Sequence, residues 1–96
     1  MRVLLAEDEV TIFVTLRDAL EDAGHEVIGA TDTASALKAL ELEPAADAVV
    51  TDVRMPGEGG LAVLDRAMEL DPDRPVLLMT GYATVDDAVD AMRRGA

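Results

Sequence analysis

Hydrophobic positions along the chain fall into two kinds of run. Four are short: Val3-Leu4-Leu5-Ala6, Glu26-Val27-Ile28-Gly29-Ala30, Ala48-Val49-Val50-Thr51 and Pro75-Val76-Leu77-Leu78-Met79. They lack polar alternation and are bounded by turn residues or charges, the pattern of strands covered on both faces. Between them apolar residues recur at helical spacing. Ile12, Leu16, Ala19, Leu20 and Ala23 form one stripe, closed by Gly24. Ala36, Leu37 and Leu40 form a second, capped by Asp32 or Thr33 and stopping before Pro44. Leu61, Leu64, Ala67 and Met68 form a third, ended by Asp71-Pro72. Val85, Ala88, Val89 and Met92 form a fourth behind Thr84, with Asp86 and Asp87 in a first turn whose dipole favours carboxylates. The order β-α-β-α-β-α-β-α with right-handed crossovers predicts an α/β fold, a doubly wound parallel sheet with helices on both faces.

Composition narrows the chemistry. The chain has 96 residues, enough for one small domain, and its 20 acidic against 8 basic side chains leave a net charge of −12. Such a surface repels phosphates, so direct contact with nucleic acid or an anionic membrane is not expected. Phe13 and Tyr82 are the only aromatic residues, too few for a base-stacking surface. Without cysteine there is no disulfide scaffold, thiol catalysis or Cys-ligated zinc, and the lone His25 leaves no multi-histidine metal site. No signal-peptide core or membrane-length apolar run is present, so a cytoplasmic location is expected.

Open parallel sheets bind ligands at the carboxyl ends of their strands. The first strand ends in Glu7-Asp8-Glu9, the third in Asp52, the fourth in Thr80-Gly81. If the first and third strands are neighbours, Glu7, Asp8 and Asp52 converge, and like charges so close need a cation. Oxygen ligands without His or Cys favour a hard divalent ion, Mg²⁺ in particular. An aspartate on a metal, facing a hydroxyl, is a plausible phosphoryl acceptor. On spacing alone, the same carboxylates read equally well as solubilising strand ends, and Thr80 as a turn residue. Glu9 reads as a dipole-favoured carboxylate at the first helix rather than a ligand.

The segments Val3–Glu9, Val49–Gly57, Gly59-Gly60-Leu61 and Leu77–Ala83 together resemble the receiver domain of bacterial two-component response regulators, across the whole length. The resemblance implies a flavodoxin-like (CheY-like) sheet of order 2-1-3-4, with 1–96 forming a receiver incomplete at its C-terminus. By it, Asp52 is the phosphoacceptor for a histidine kinase and Asp8 a direct Mg²⁺ ligand, with Glu7 acting through water. The backbone carbonyl of Arg54 is a further ligand, and Thr80 the hydroxyl that moves onto the phosphoryl group. The Arg54–Gly57 loop and the stretch from Thr80 to Ala96 look most like receivers of enhancer-binding transcriptional activators. The family also places a lysine, then a proline, at the end of a fifth strand followed by a fifth helix. The only lysine here is Lys38, in the second helix. The expectation is therefore a fragment of a longer regulator or a truncated receiver, with an exposed fourth strand that favours marginal stability or a homodimer, by strand pairing or by exchange of elements.

The remaining residues receive plainer readings. His25 is expected to face solvent in a turn, Met55 and Met68 to pack, and Asp86, Asp87 and Asp90 to form a solvated helix face. Arg93 and Arg94 complement a helix C-terminus. Tyr82 is divided between a mobile surface residue and part of an interface. Two alternatives to a phosphoacceptor remain: a pseudo-receiver working as a phosphorylation-independent interaction or dimerisation module, and a Mg²⁺ phosphotransferase of the haloacid-dehalogenase kind. The latter needs an Asp-x-Asp nucleophile on the first strand, where this chain has Glu7-Asp8-Glu9.

Overall fold

The computed structural model describes residues 1–42 and 45–79. The elements are β1 (Arg2–Ala6), α1 (Val10–Asp22), β2 (Glu26–Ala30), α2 (Thr33–Leu40), β3 (Ala48–Asp52), α3 (Gly60–Leu70) and β4 (Val76–Met79). Pro44, Thr80, Tyr82, the expected fourth helix and Arg93-Arg94 lie outside the described residues. All strand pairs are parallel, in the order β2-β1-β3-β4. The first and third strands are thus neighbours, with Ala6 opposite Thr51 and Asp52 opposite Met79.

Alternation along the strands divides the core between two faces. Leu4, Ala6, Ala30 and Val49 meet Ala36, Ala39 and Leu40 of α2 and Val63 and Ala67 of α3 in one cluster. Val3 and Leu5 point to the opposite face and are also buried. There the Phe13 ring of α1 lies on β2 at Gly29, where any Cβ would overlap it. Burial of Leu4, Leu5 and Leu64 contributes about 1.5–3 kcal/mol each. Exposed pairs such as Arg17–Glu21 add little, so the core holds the fold.

The helix ends follow local chemistry. The Glu9 carboxylate accepts from Thr11 N at 3.4 Å, which makes Glu9 the N-cap of α1. Gly24, at φ +92°, turns the chain out of α1, with His25 N on the Leu20 carbonyl at 3.0 Å. Asp32 rather than Thr33 caps α2, in a reciprocal box with Ser35, whose hydroxyl and then amide hold the Asp32 carboxyl below its ordinary value.

One expectation, a solvent-facing His25, needs correction, and two helix stripes are covered less fully than their period allows. The α1 stripe is not a buried seam: the helix holds no fully buried residue, and Ala19 and Ala23 are exposed. α1 packs over β1 and β2, at one side of the sheet, and buries only part of its face. In α3 the buried face is Gly60, Val63, Leu64 and Ala67, while Leu61 and Met68 are half-buried, and the helix starts hard against the end of β3 at Gly60. His25 is half-buried, its Nδ1 3.2 Å from the terminal amine of Met1, rather than facing solvent. Met55 packs in the core, as expected.

Candidate functional site

Register builds the site. β1 and β3 run parallel and adjacent, so the residues that follow their last paired positions emerge at one sheet edge. Glu7 extends the ladder through its amide, which donates to the Ala30 carbonyl at 3.0 Å. Its side chain is 2% exposed, and its Oε1 accepts from Glu9 N at 2.9 Å. Asp52, the last residue of β3, is 8% exposed. Asp8 is open to solvent. One carboxylate oxygen from each of Glu7, Asp8 and Asp52 lies within 4.8 Å of the others.

Burial pushes the Glu7 carboxyl above its ordinary value, against the opposing hydrogen bond from Glu9 N. The charge of Asp52, a hydrogen bond shared with it and the charge of Asp8 push the same way. Neighbouring negative charge raises the cost of keeping Glu7 ionised, a cost that a bound cation would offset, and the all-oxygen donor set favours a hard divalent ion.

The β3–α3 loop closes one side. Arg54 N donates to Asp52 Oδ1 at 3.3 Å, and Gly60 N to the Val53 carbonyl at 2.8 Å. A Cβ on Gly60 would overlap the Asp52 carbonyl, so only glycine lets α3 start this close behind β3. Asp8, Arg54, Pro56 and Glu58 border an open cavity of about 480 Å³.

Glu7, Asp8 and Asp52 are therefore brought together as expected, with Arg54 on the loop beside them. Thr80 lies outside the described residues; its neighbour Met79 is in register with Asp52. Two residues gave no warning in the sequence. Thr33 is 3% exposed and bonded to the β3–α3 loop, and Arg74, 6% exposed, binds the Ala46 and Ala67 carbonyls. Neither belongs to a motif, and each finds its partners only after the chain has folded.

The sequence profile of the response regulator receiver domain matches residues 3–96. The chain belongs to the response regulator receiver family. It is 43% identical over 95 residues to the response regulator protein FleR of Pseudomonas aeruginosa, covering 99% of this chain and 20% of that protein. It thus spans about a fifth of the length of such curated relatives. A CheY-like receiver from Methanospirillum hungatei superposes with TM-score 0.91 at 28% identity, over 99% of this chain and 75% of that one. A Burkholderia pseudomallei response regulator, solved with a phosphorylated aspartic acid, calcium ion and citrate, superposes at 0.88 with 30% identity, over 99% and 55%. Receivers of this family are phosphoacceptors of two-component systems and generally not enzymes, and the acidic cluster in this one is Glu7, Asp8 and Asp52. No helix among the described residues is long and apolar enough to cross a membrane.

Proposed function

We infer that this receiver accepts a phosphoryl group on Asp52 from a histidine kinase in a Mg²⁺-dependent reaction. The observation that supports this most is the convergence of Glu7, Asp8 and Asp52 within 4.8 Å at the carboxyl edge of the sheet. Asp52 ends the interior strand β3 and accepts from Arg54 N, and one of its oxygens is read as the nucleophile. The new O–P bond forms as the P–N bond to the kinase imidazole breaks. The nitrogen keeps the bonding electron pair. Asp8, Asp52 and the Arg54 carbonyl would hold the ion, with Glu7 reaching it through water. Mg²⁺ there supplies the positive charge that three carboxylates and a phosphoryl group together require. Thr80 is assigned the hydroxyl that meets the phosphoryl oxygens. Autophosphatase activity would return the site to its starting state by hydrolysis of the acyl phosphate.

The regulator to which this receiver belongs is read as a cytoplasmic transcriptional regulator of the enhancer-binding kind, with residues 1–96 making no direct contact with nucleic acid or membrane. A second reading, a phosphorylation-independent dimerisation module, is favoured by one observation. Leu77 of β4 is 63% exposed beside an apolar groove of about 350 Å³ formed with Val3, Leu20 and Val50. Incubation with acetyl phosphate and Mg²⁺, followed by mass spectrometry, tests the leading reading. A single phosphoryl adduct on Asp52, absent from Asp52→Asn, is expected. Full labelling of the Asn variant, or no Mg²⁺-dependent adduct on the unaltered chain, would reject it.

A further inference from the structure

The loop that carries Arg54 is held from a distant part of the chain. Met55 is sunk in the core. Next to it, the Pro56 carbonyl accepts both from Thr33 N at 3.2 Å and from Thr33 Oγ1 at 2.9 Å. The same hydroxyl accepts from Gly59 N at 2.9 Å. One side chain thus satisfies an acceptor in the middle of the loop and a donor at its end, 23 and 26 residues away in sequence.

The neighbouring glycine makes room for it. A Cβ on Gly57 would lie 3.1 Å from Thr33 Cβ and 3.2 Å from Oγ1, and Gly57 has φ +95°. Thr33 is 3% exposed, so water does not readily replace the hydroxyl, and Gly59 is buried as well. Between Asp52 and this latch there is little slack: Arg54 N is bound to Asp52, and Pro56 follows two residues later. The Arg54 carbonyl lies in the short stretch of backbone between those two anchors.

We propose that Thr33, from the first turn of α2, is a positioning residue for the acidic site. Its hydroxyl fixes the β3–α3 loop so that the Arg54 carbonyl is presented toward Asp8 and Asp52. This rests on the metal reading above, and it adds that cation affinity is set partly by a side chain that touches neither ion nor phosphoryl group. Removal of a group that orients a metal ligand lowers affinity by about tenfold or more.

Three variants test it: Thr33→Val, of nearly the same shape; Thr33→Ala; and Thr33→Ser, which keeps the hydroxyl. Mg²⁺ affinity is measured by calorimetry, and amide hydrogen exchange at Gly59 is followed in Mg²⁺-free buffer. Val and Ala are expected to weaken Mg²⁺ binding by about tenfold and to speed Gly59 exchange, and Ser to stay near the unaltered chain on both. Arg74→Met, which strips hydrogen bonds at the opposite sheet edge, controls for general destabilisation and should leave Mg²⁺ affinity unchanged. If Val does not fold, the Ala–Ser difference carries the test. Unaltered affinity in Val or Ala, equal loss in Ser, or equal loss in Arg74→Met would overturn the proposal. Failure of the unaltered chain itself to bind Mg²⁺ would instead overturn the metal reading, and the proposal with it.

Discussion

Replacing Asp52 with Asn should stabilise the protein in the absence of divalent ions. The oxygens of Glu7, Asp8 and Asp52 lie within 4.8 Å of one another, and Asp52 belongs to two of the three pairs. At that separation a like-charge pair costs ~3.5 kcal/mol with an effective dielectric of about 20, and ~0.9 kcal/mol with that of bulk water. Asp8 is exposed while Glu7 and Asp52 are buried, so the site sits between these limits. Burial already pushes the Glu7 carboxyl upward, the same direction as the charges of Asp52 and Asp8. Asn keeps an oxygen to accept from Arg54 N, a bond of 3.3 Å that is weak to begin with. The repulsion therefore wins, and a gain of about 1–4 kcal/mol is expected. For a domain of this size each kcal/mol corresponds to roughly 4–8 °C in Tm. Urea unfolding at neutral pH, in EDTA and in saturating Mg²⁺, measures it. Mg²⁺ should raise the stability of the unaltered chain by mass action and that of the variant much less, so the gap narrows or reverses. An Asn variant no more stable in EDTA, or one that gains as much from Mg²⁺, would refute the electrostatic argument.

Three further outcomes follow from other parts of the molecule. Because the Glu7 carboxyl is raised in the folded state, chiefly by burial, its contribution is full below the unfolded value of about 4.3 and is lost as pH rises through the folded one. In divalent-free buffer Glu7→Gln should abolish that decline, and superimposable stability–pH curves from urea melts would contradict it. Arg74→Met leaves the Ala46 and Ala67 carbonyls without the guanidinium that now lies 3.3 and 3.2 Å away, and should cost about 1–3 kcal/mol in urea unfolding. The loss is held to that range because Met also removes a buried Nε that has no hydrogen-bond partner; a neutral substitution would show that the buried charge cancels the bonds. If the exposed Leu77 supports self-association, the melting temperature should rise with protein concentration, and Leu77→Glu should remove the dependence. A concentration-independent melt of the unaltered chain would count against dimerisation.

Much of this molecule is legible in one dimension because its chemistry is local or periodic. An apolar run such as Val3–Ala6 can bury both faces only as a covered strand, and Glu26–Ala30 is observed with the bounds its pattern implies. The carboxylates that end the first and third strands needed only strand adjacency to become a cluster, which the β-α-β order already favours. Stripes were less reliable than strands. A helix period states which residues share a face but not how far that face is covered, and α1 sits on β1 and β2 with none of its residues fully buried. The loop contacts were not legible at all. Thr33 was one of two equal choices for a helix cap, and folding assigned that role to Asp32 while turning the Thr33 hydroxyl onto Pro56 and Gly59. Arg74 stood in a polar turn between prolines, yet its guanidinium is drawn inward by carbonyls from two other segments. A hydrogen bond between groups more than twenty residues apart depends on angles and distances set by packing, and neither periodicity nor spacing along the chain encodes them.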